Sequence, residues 1–131
     1  MVAAYWHDLG YAPELVVTGF HPLDGTRFLA REGYPARLCA LVAHHSAATF
    51  EAEERCLVDE LAAWPREESA VADALWTADM TTGPRGEAVD YPDRLADEAA
   101  MPARRVVCER LASLVRGRRG EVLRSALLCP V

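Results

Sequence analysis

"YWHDLGY", residues 5–11, places a His and an Asp side by side between an apolar run and a glycine. Whether that pair ends a helix or belongs to a metal site decides how the rest of the chain is read. Locally it is a helix end. "MVAAYWHDL" reads as a short apolar helix stopped at Gly10, where glycine can take the left-handed conformation that closes many helices. A His near a helix C-terminus is also favoured by the helix dipole alone. Yet imidazole and carboxylate are transition-metal ligands, so residues further along must arbitrate.

Outward from this stretch the pattern is helical. "APELVVTGF" is a loop carrying Pro13 and Gly19. "HPLDGTRFLARE" reads as a helix with Pro22 in its first turn, where the missing N–H costs nothing, and with Leu23, Phe28 and Leu29 on one buried face. "PARLCALVAHHSAA" follows, started by Pro35 and striped by Leu38, Leu41 and Val42. "TFEAEERCLVDELAAW" is an amphipathic helix with Phe50, Leu57, Val58 and Leu61 inward and Glu51, Glu53 and Glu54 outward, ended by Trp64-Pro65. Another helix spans 67–80, and "TTGPRGEAVDYP" is a loop rich in Gly and Pro. "DRLADEAA" and two helices in "ARRVVCERLASLVRGRRGEVLRSALL", meeting near Gly117 or Gly120, complete the chain. Leu15 to Val17 is too short to found a sheet. The expectation is one all-α domain, a helical bundle over residues 1–131.

Composition narrows the function classes. The 131 residues are 51% hydrophobic and 26% charged, ordinary for a globular chain. A net charge of -6 argues against a nucleic-acid duplex as partner, because phosphate neutralisation needs a basic face. All fourteen basic residues are Arg, and the cluster Arg116, Arg118 and Arg119 reads as a solvated helix junction. Cys39, Cys56, Cys108 and Cys129 form no CxxC pair, which disfavours both a zinc knuckle and a disulfide framework. Buried free thiols in a reducing cytoplasm are the simpler reading. No apolar run approaches the ~18 residues of a bilayer span, and no signal peptide is evident, so no membrane partner is expected. There is no GxSxG elbow, no GxxxxGK[ST] loop and no GxGxxG after a strand.

All four histidines, His7, His21, His44 and His45, fall in the first 45 residues. Asp79, in "WTADMTTG", is the strongest later carboxylate. Singly, each has an ordinary role as a helix cap, a helix start or core packing. Their recurrence at the ends of successive helices changes that, since such side chains can converge on one point in a bundle.

"HDLGY … HPLDG … HHS … AD" resembles the HD-domain metal-dependent phosphohydrolases, in the variant with extra histidines between the HD pair and the final Asp. The resemblance covers roughly residues 2–95 and implies a bundle of the HD-domain type. It implies that His7 and Asp8 are metal ligands, with Asp8 bridging two ions. Asp79 would complete the first site, and His21, His44 and His45 the second. Two divalent ions, whether Mn, Fe, Zn, Ni or Co, would share a hydroxide that attacks a small phosphomonoester or phosphodiester, such as a nucleotide. Asp8 would then be catalytic through its bridge, and Arg85, in the loop after Asp79, could pair with the substrate phosphate beside the hydroxyls of Thr81 and Thr82.

Three departures qualify this. The family pattern begins with a further ligand His upstream of the HD pair, whereas only six residues precede His7 and none is His. An upstream start, a shortened gene or conversion to a binding module would each explain that. A missing first helix would leave an exposed apolar groove, which invites a homodimer. Tyr11 stands where many relatives place Lys, and "HHS" lacks the signature of the subgroup that cleaves cyclic dinucleotides. The alternative function is therefore a catalytically silent metal- or nucleotide-binding module. A plain structural bundle is the third reading.

Overall fold

The structure, a computed structural model, describes residues 2–99, with side chains through residue 96. The helices expected within residues 103–128, and with them Cys108 and Cys129, lie outside the described residues. The described chain is helical: α1 (Ala3–Trp6), α2 (His21–Arg31), α3 (Ala36–Ala43), α4 (Ala48–Glu54), α5 (Val58–Leu61), α6 (Ala70–Thr81) and α7 (Tyr91–Ala99). Short 3₁₀ turns at Leu9–Tyr11 and Pro13–Leu15 link α1 to α2. Among the described residues the sole β pairing is an isolated bridge between Thr82 and Ala88, in the loop after α6. None of the described helices is long and apolar enough to cross a membrane.

Helix α2 packs along α3, and α1 wedges between α3 and α6. Phe20, Leu23, Ala43, Ala48, Ala52 and Leu61 form one buried cluster, with Leu57 and Trp64 against it. Leu29, Cys39 and Val42 form another, and Ala3, Leu41 and Leu75 join α1 to α3 and α6. Thr26, wholly buried, donates to the Cys39 carbonyl at 3.2 Å and ties α2 to α3. Ser69 caps α6 by accepting from the Ala72 N–H.

Several sequence expectations need correction. The helix expected over 49–64 is broken, because Cys56 is left-handed (φ 58°) and the Leu57 N–H reaches back to the Ala52 carbonyl at 2.8 Å. That closes α4 in the manner usual for a glycine. Restarting at Val58 shifts the phase of the apolar stripe and leaves Val58 exposed, while upstream in α4 Glu51 is buried and paired with Arg55 at 2.8 Å. The helix expected to run through "HHS" stops at Ala43, and Ser46 is left-handed (φ 46°). Of the thiols, Cys39 is buried and Cys56 exposed, and both are free.

Gly10 is not a left-handed cap either. Gly33 is the glycine in that role (φ 81°), closing α2 with the Tyr34 N–H bonded to the Leu29 carbonyl. Gly10 is buried where the 3₁₀ turn presses on α2. A Cβ there would stand 2.0 Å from the His21 carbonyl oxygen and 2.7 Å from the Gly25 nitrogen. A Cβ on Gly25 would in turn stand 2.9 Å from the Gly10 nitrogen. The next residue back, Asp24, is buried and accepts from the Val17, Thr18 and Gly19 N–H groups and the Thr18 hydroxyl at 2.9–3.1 Å. It thereby fixes the loop that leads into α2.

Backbone cannot retreat as a flexible side chain does, so Gly10→Ala is expected to cost about 3 kcal/mol. That lowers the melting temperature by more than about 10 °C for a domain of this size. Gly25→Ala should cost less. A Gly10→Ala melting curve superimposable on wild type would refute the close approach.

Candidate metal centre

Four helix ends supply the side chains. His7 is the C-cap of α1 and Asp8 follows it, leading into the first 3₁₀ turn. His21 is the first residue of α2, and His45 lies just beyond the end of α3. Asp79 stands in the last turn of α6. Because α2 packs on both α3 and the turn bearing Gly10, these ends meet.

Asp8, His21 and His45 each offer a ligand atom, all lying within 4.8 Å of one another. His21 Nε2 is 3.1 Å from His45 Nε2 and 3.6 Å from Asp8 Oδ1. The other Asp8 oxygen is 3.3 Å from His7 Nε2, which is 3.4 Å from Asp79 Oδ1. Donors about 2.1 Å from a metal ion stand about 3.0 Å apart when octahedral neighbours and about 3.4 Å apart when tetrahedral. The observed spacings match, and Asp8 presents one oxygen to each half of the cluster.

The outer contacts fit the same purpose. A carbonyl can only accept, so His45 Nδ1 donates to the Val42 carbonyl (2.6 Å) and His7 Nδ1 to the Ala4 carbonyl (2.9 Å). Each bond aims Nε2 at the cluster, as second partners do for metal-bound imidazoles. Burial holds His45 below its ordinary value, so its Nε2 carries a lone pair for the His21 N–H. Burial also opposes charge on His7, but its bonds to Asp79 and Asp8 outweigh this and push it up to about 10. Asp79 is pulled down to about 2: burial opposes that, and the bonds from His7 and the Ser46 hydroxyl overcome it. Asp8 is lowered in the same way, His7 again overcoming burial.

Four expected residues are not brought in. His44 turns away from its neighbour: its Nε2 donates to the Trp64 carbonyl (2.7 Å), and the Trp76 indole donates to the His44 carbonyl. Helix α3 ends just before them, at Ala43, freeing consecutive residues to point apart. Arg85 is 89% exposed, paired with Glu87 on the turn after α6. Thr81 donates back to the Thr77 carbonyl within its own helix, and Thr82 is exposed. In their place the structure adds Ser46, whose hydroxyl donates to Asp79 Oδ2, and Tyr11, stacked on His21. "HHS" contained Ser46, but nothing in the sequence signals a left-handed serine.

Free of metal, the cluster should show a stability maximum near neutral pH. His7, raised from 6.5 to about 10, contributes stability that is complete below 6.5 and lost as pH rises through about 10. His45 and His44, lowered from 6.5, contribute stability that is present above 6.5 and lost as pH falls. Asp79, lowered from 3.8 to about 2, loses its share only as pH falls from 3.8 through about 2. Melting temperatures in a chelating buffer should therefore decline from pH 7 to 10, and His7→Gln should flatten that limb. A wild-type melting temperature that climbs over this range would contradict a charged His7 held between the two carboxylates.

No protein-family model, curated protein or solved structure matches this chain, so its chemistry has to be argued from the cluster's own geometry.

Proposed function

We propose that the chain is a metal-dependent phosphohydrolase of the HD-domain type, acting on a small phosphomonoester or phosphodiester. The observation that carries this reading is Asp8, with one carboxylate oxygen facing His21 and the other facing His7. A single carboxylate between two imidazole-bearing half-sites is the arrangement that would hold two ions close together. His7, Asp8 and Asp79 would hold one ion, and Asp8, His21 and His45 the other. Three protein donors per ion leave positions open, as catalytic metal sites do and closed structural sites do not. Bound there, divalent cations supply Lewis acidity and acidify water at neutral pH.

The chain's own residues do the rest. His45 and His7 are aimed by main-chain carbonyls, and Asp79 is held by Ser46. Asp8, with 56% of its side chain exposed, marks the side from which a phosphoester would approach. A homodimer through the apolar face of α1, where Val2 and Tyr5 project into solvent, belongs to the same reading.

One observation favours a silent metal-binding module instead. Arg85, the guanidinium expected to take the substrate phosphate, points into solvent and pairs with Glu87. The two readings separate on turnover. The purified chain, loaded with Mn²⁺, Co²⁺ or Zn²⁺, is expected to bind close to two equivalents and to hydrolyse p-nitrophenyl phosphate or its bis ester. Asp8→Ala should reduce turnover by more than about a hundredfold, since losing a shared ligand exceeds the effect of losing an outer contact. Metal binding without hydrolysis of any phosphoester would favour the silent module, and undiminished turnover in Asp8→Ala would sink the hydrolase reading.

A further inference from the structure

The 3₁₀ turn that delivers Asp8 also delivers an aromatic ring. Tyr11 follows Asp8 by three residues, and its N–H bonds to the Asp8 carbonyl at 3.0 Å. Residues three apart are eclipsed in a 3₁₀ turn, so both side chains leave it on the same side, toward α2. There they meet His21 from different directions. Asp8 Oδ1 faces the ring edge at Nε2, 3.6 Å away. The Tyr11 ring lies flat against the imidazole, with centroids 4.0 Å apart and planes 15° from parallel. The same nitrogen, His21 Nε2, also faces His45 Nε2 at 3.1 Å, with the two imidazoles tilted 61°.

We infer that Tyr11 is a positioning residue for the His21 half of the metal centre, a role that rests on the metal-binding reading above. His21 is the first residue of its helix, and its backbone is fixed by the Gly10 contact. Those constraints set where the ring begins, not which plane it occupies. A flat stack selects one plane, the plane in which Nε2 points at both Asp8 and His45. The stack acts on electronics in the same direction. An electron-rich phenol face favours an imidazole that carries or shares positive charge, which is the condition of a metal-bound ring. Half exposed (52%), Tyr11 lies outside the buried core clusters and stacks on the imidazole.

The test is a Co²⁺ titration of the full chain, followed by calorimetry and by the visible absorption of the bound ion. His21→Ala identifies the binding event that belongs to this half-site. Tyr11→Ala is expected to weaken that event by about tenfold, the lower end of what outer contacts of metal ligands contribute, and to change the visible spectrum. Tyr11→Phe keeps the ring and should bind within about twofold of wild type. Val17→Ala, at an exposed position on the neighbouring loop, should leave affinity and spectrum unchanged. Melting temperatures of all variants separate a lost stack from a lost fold. Tyr11→Ala binding Co²⁺ as wild type does, with the same spectrum, would overturn the positioning role while leaving the metal centre standing. Equal weakening in Tyr11→Phe would also overturn it, by assigning the effect to the hydroxyl. A wild-type chain that binds no Co²⁺ would overturn the metal reading and this inference together.

Discussion

Everything at the cluster depends on one backbone contact, the approach of Gly10 to α2 at His21 and Gly25. Asp8 lies two residues before that contact, and His21 contributes its carbonyl to it. The main chains touch where no Cβ fits, so the offset between the two side chains is set by covalent geometry. Asp24, in the first turn of α2 and next to Gly25, anchors the preceding loop with its carboxylate. "HDLG" and "HPLDG" are thus two halves of one fit. Their glycines make the approach, their acids fix the loop and reach the cluster, and their histidines stand on either side of Asp8.

This explains what could be read from the sequence and what could not. Pro22 at the start of α2 and the stripe at Leu23 and Leu29 follow local rules, and the helix is found over His21–Arg31. Cys56 and Ser46 break helices with left-handed residues that carry side chains, which no propensity scale favours. Tertiary demands decide both: Leu57 reaches the core, and His45 reaches the cluster. The charge of Glu51 predicts a surface position, yet it is buried with its carboxylate paired to Arg55 one turn on.

The site shows the same division. Residue types at helix ends suggested a convergence, and His7, Asp8, His21, His45 and Asp79 do lie together. Which of two adjacent histidines faces inward is not a matter of type. It depends on where α3 stops and on the Trp64 carbonyl, which α5 and the chain beyond it bring alongside His44. Gly10 was misread for a related reason. A glycine after an apolar helix has two uses, a left-handed cap or a close approach, and only the position of α2 tells them apart.

Charge gives the cluster its chemical direction. Asp8 and Asp79 are both held ionised, His7 is held protonated between them, and burial holds His45 below its ordinary value. Two carboxylates flank His7 in a partly buried setting, where charges are screened less than at the surface. Such a group repels a phosphate and attracts a divalent cation. Arg85, the one guanidinium expected to offset that repulsion, is out in solvent with Glu87. On the metal-binding reading proposed above, an anionic substrate would meet cations already bound, and His7 would have to release its Nε2 proton before it could act as a ligand. For the phosphoester chemistry proposed above, paired carboxylates with no guanidinium brought in favour metal first and phosphate second.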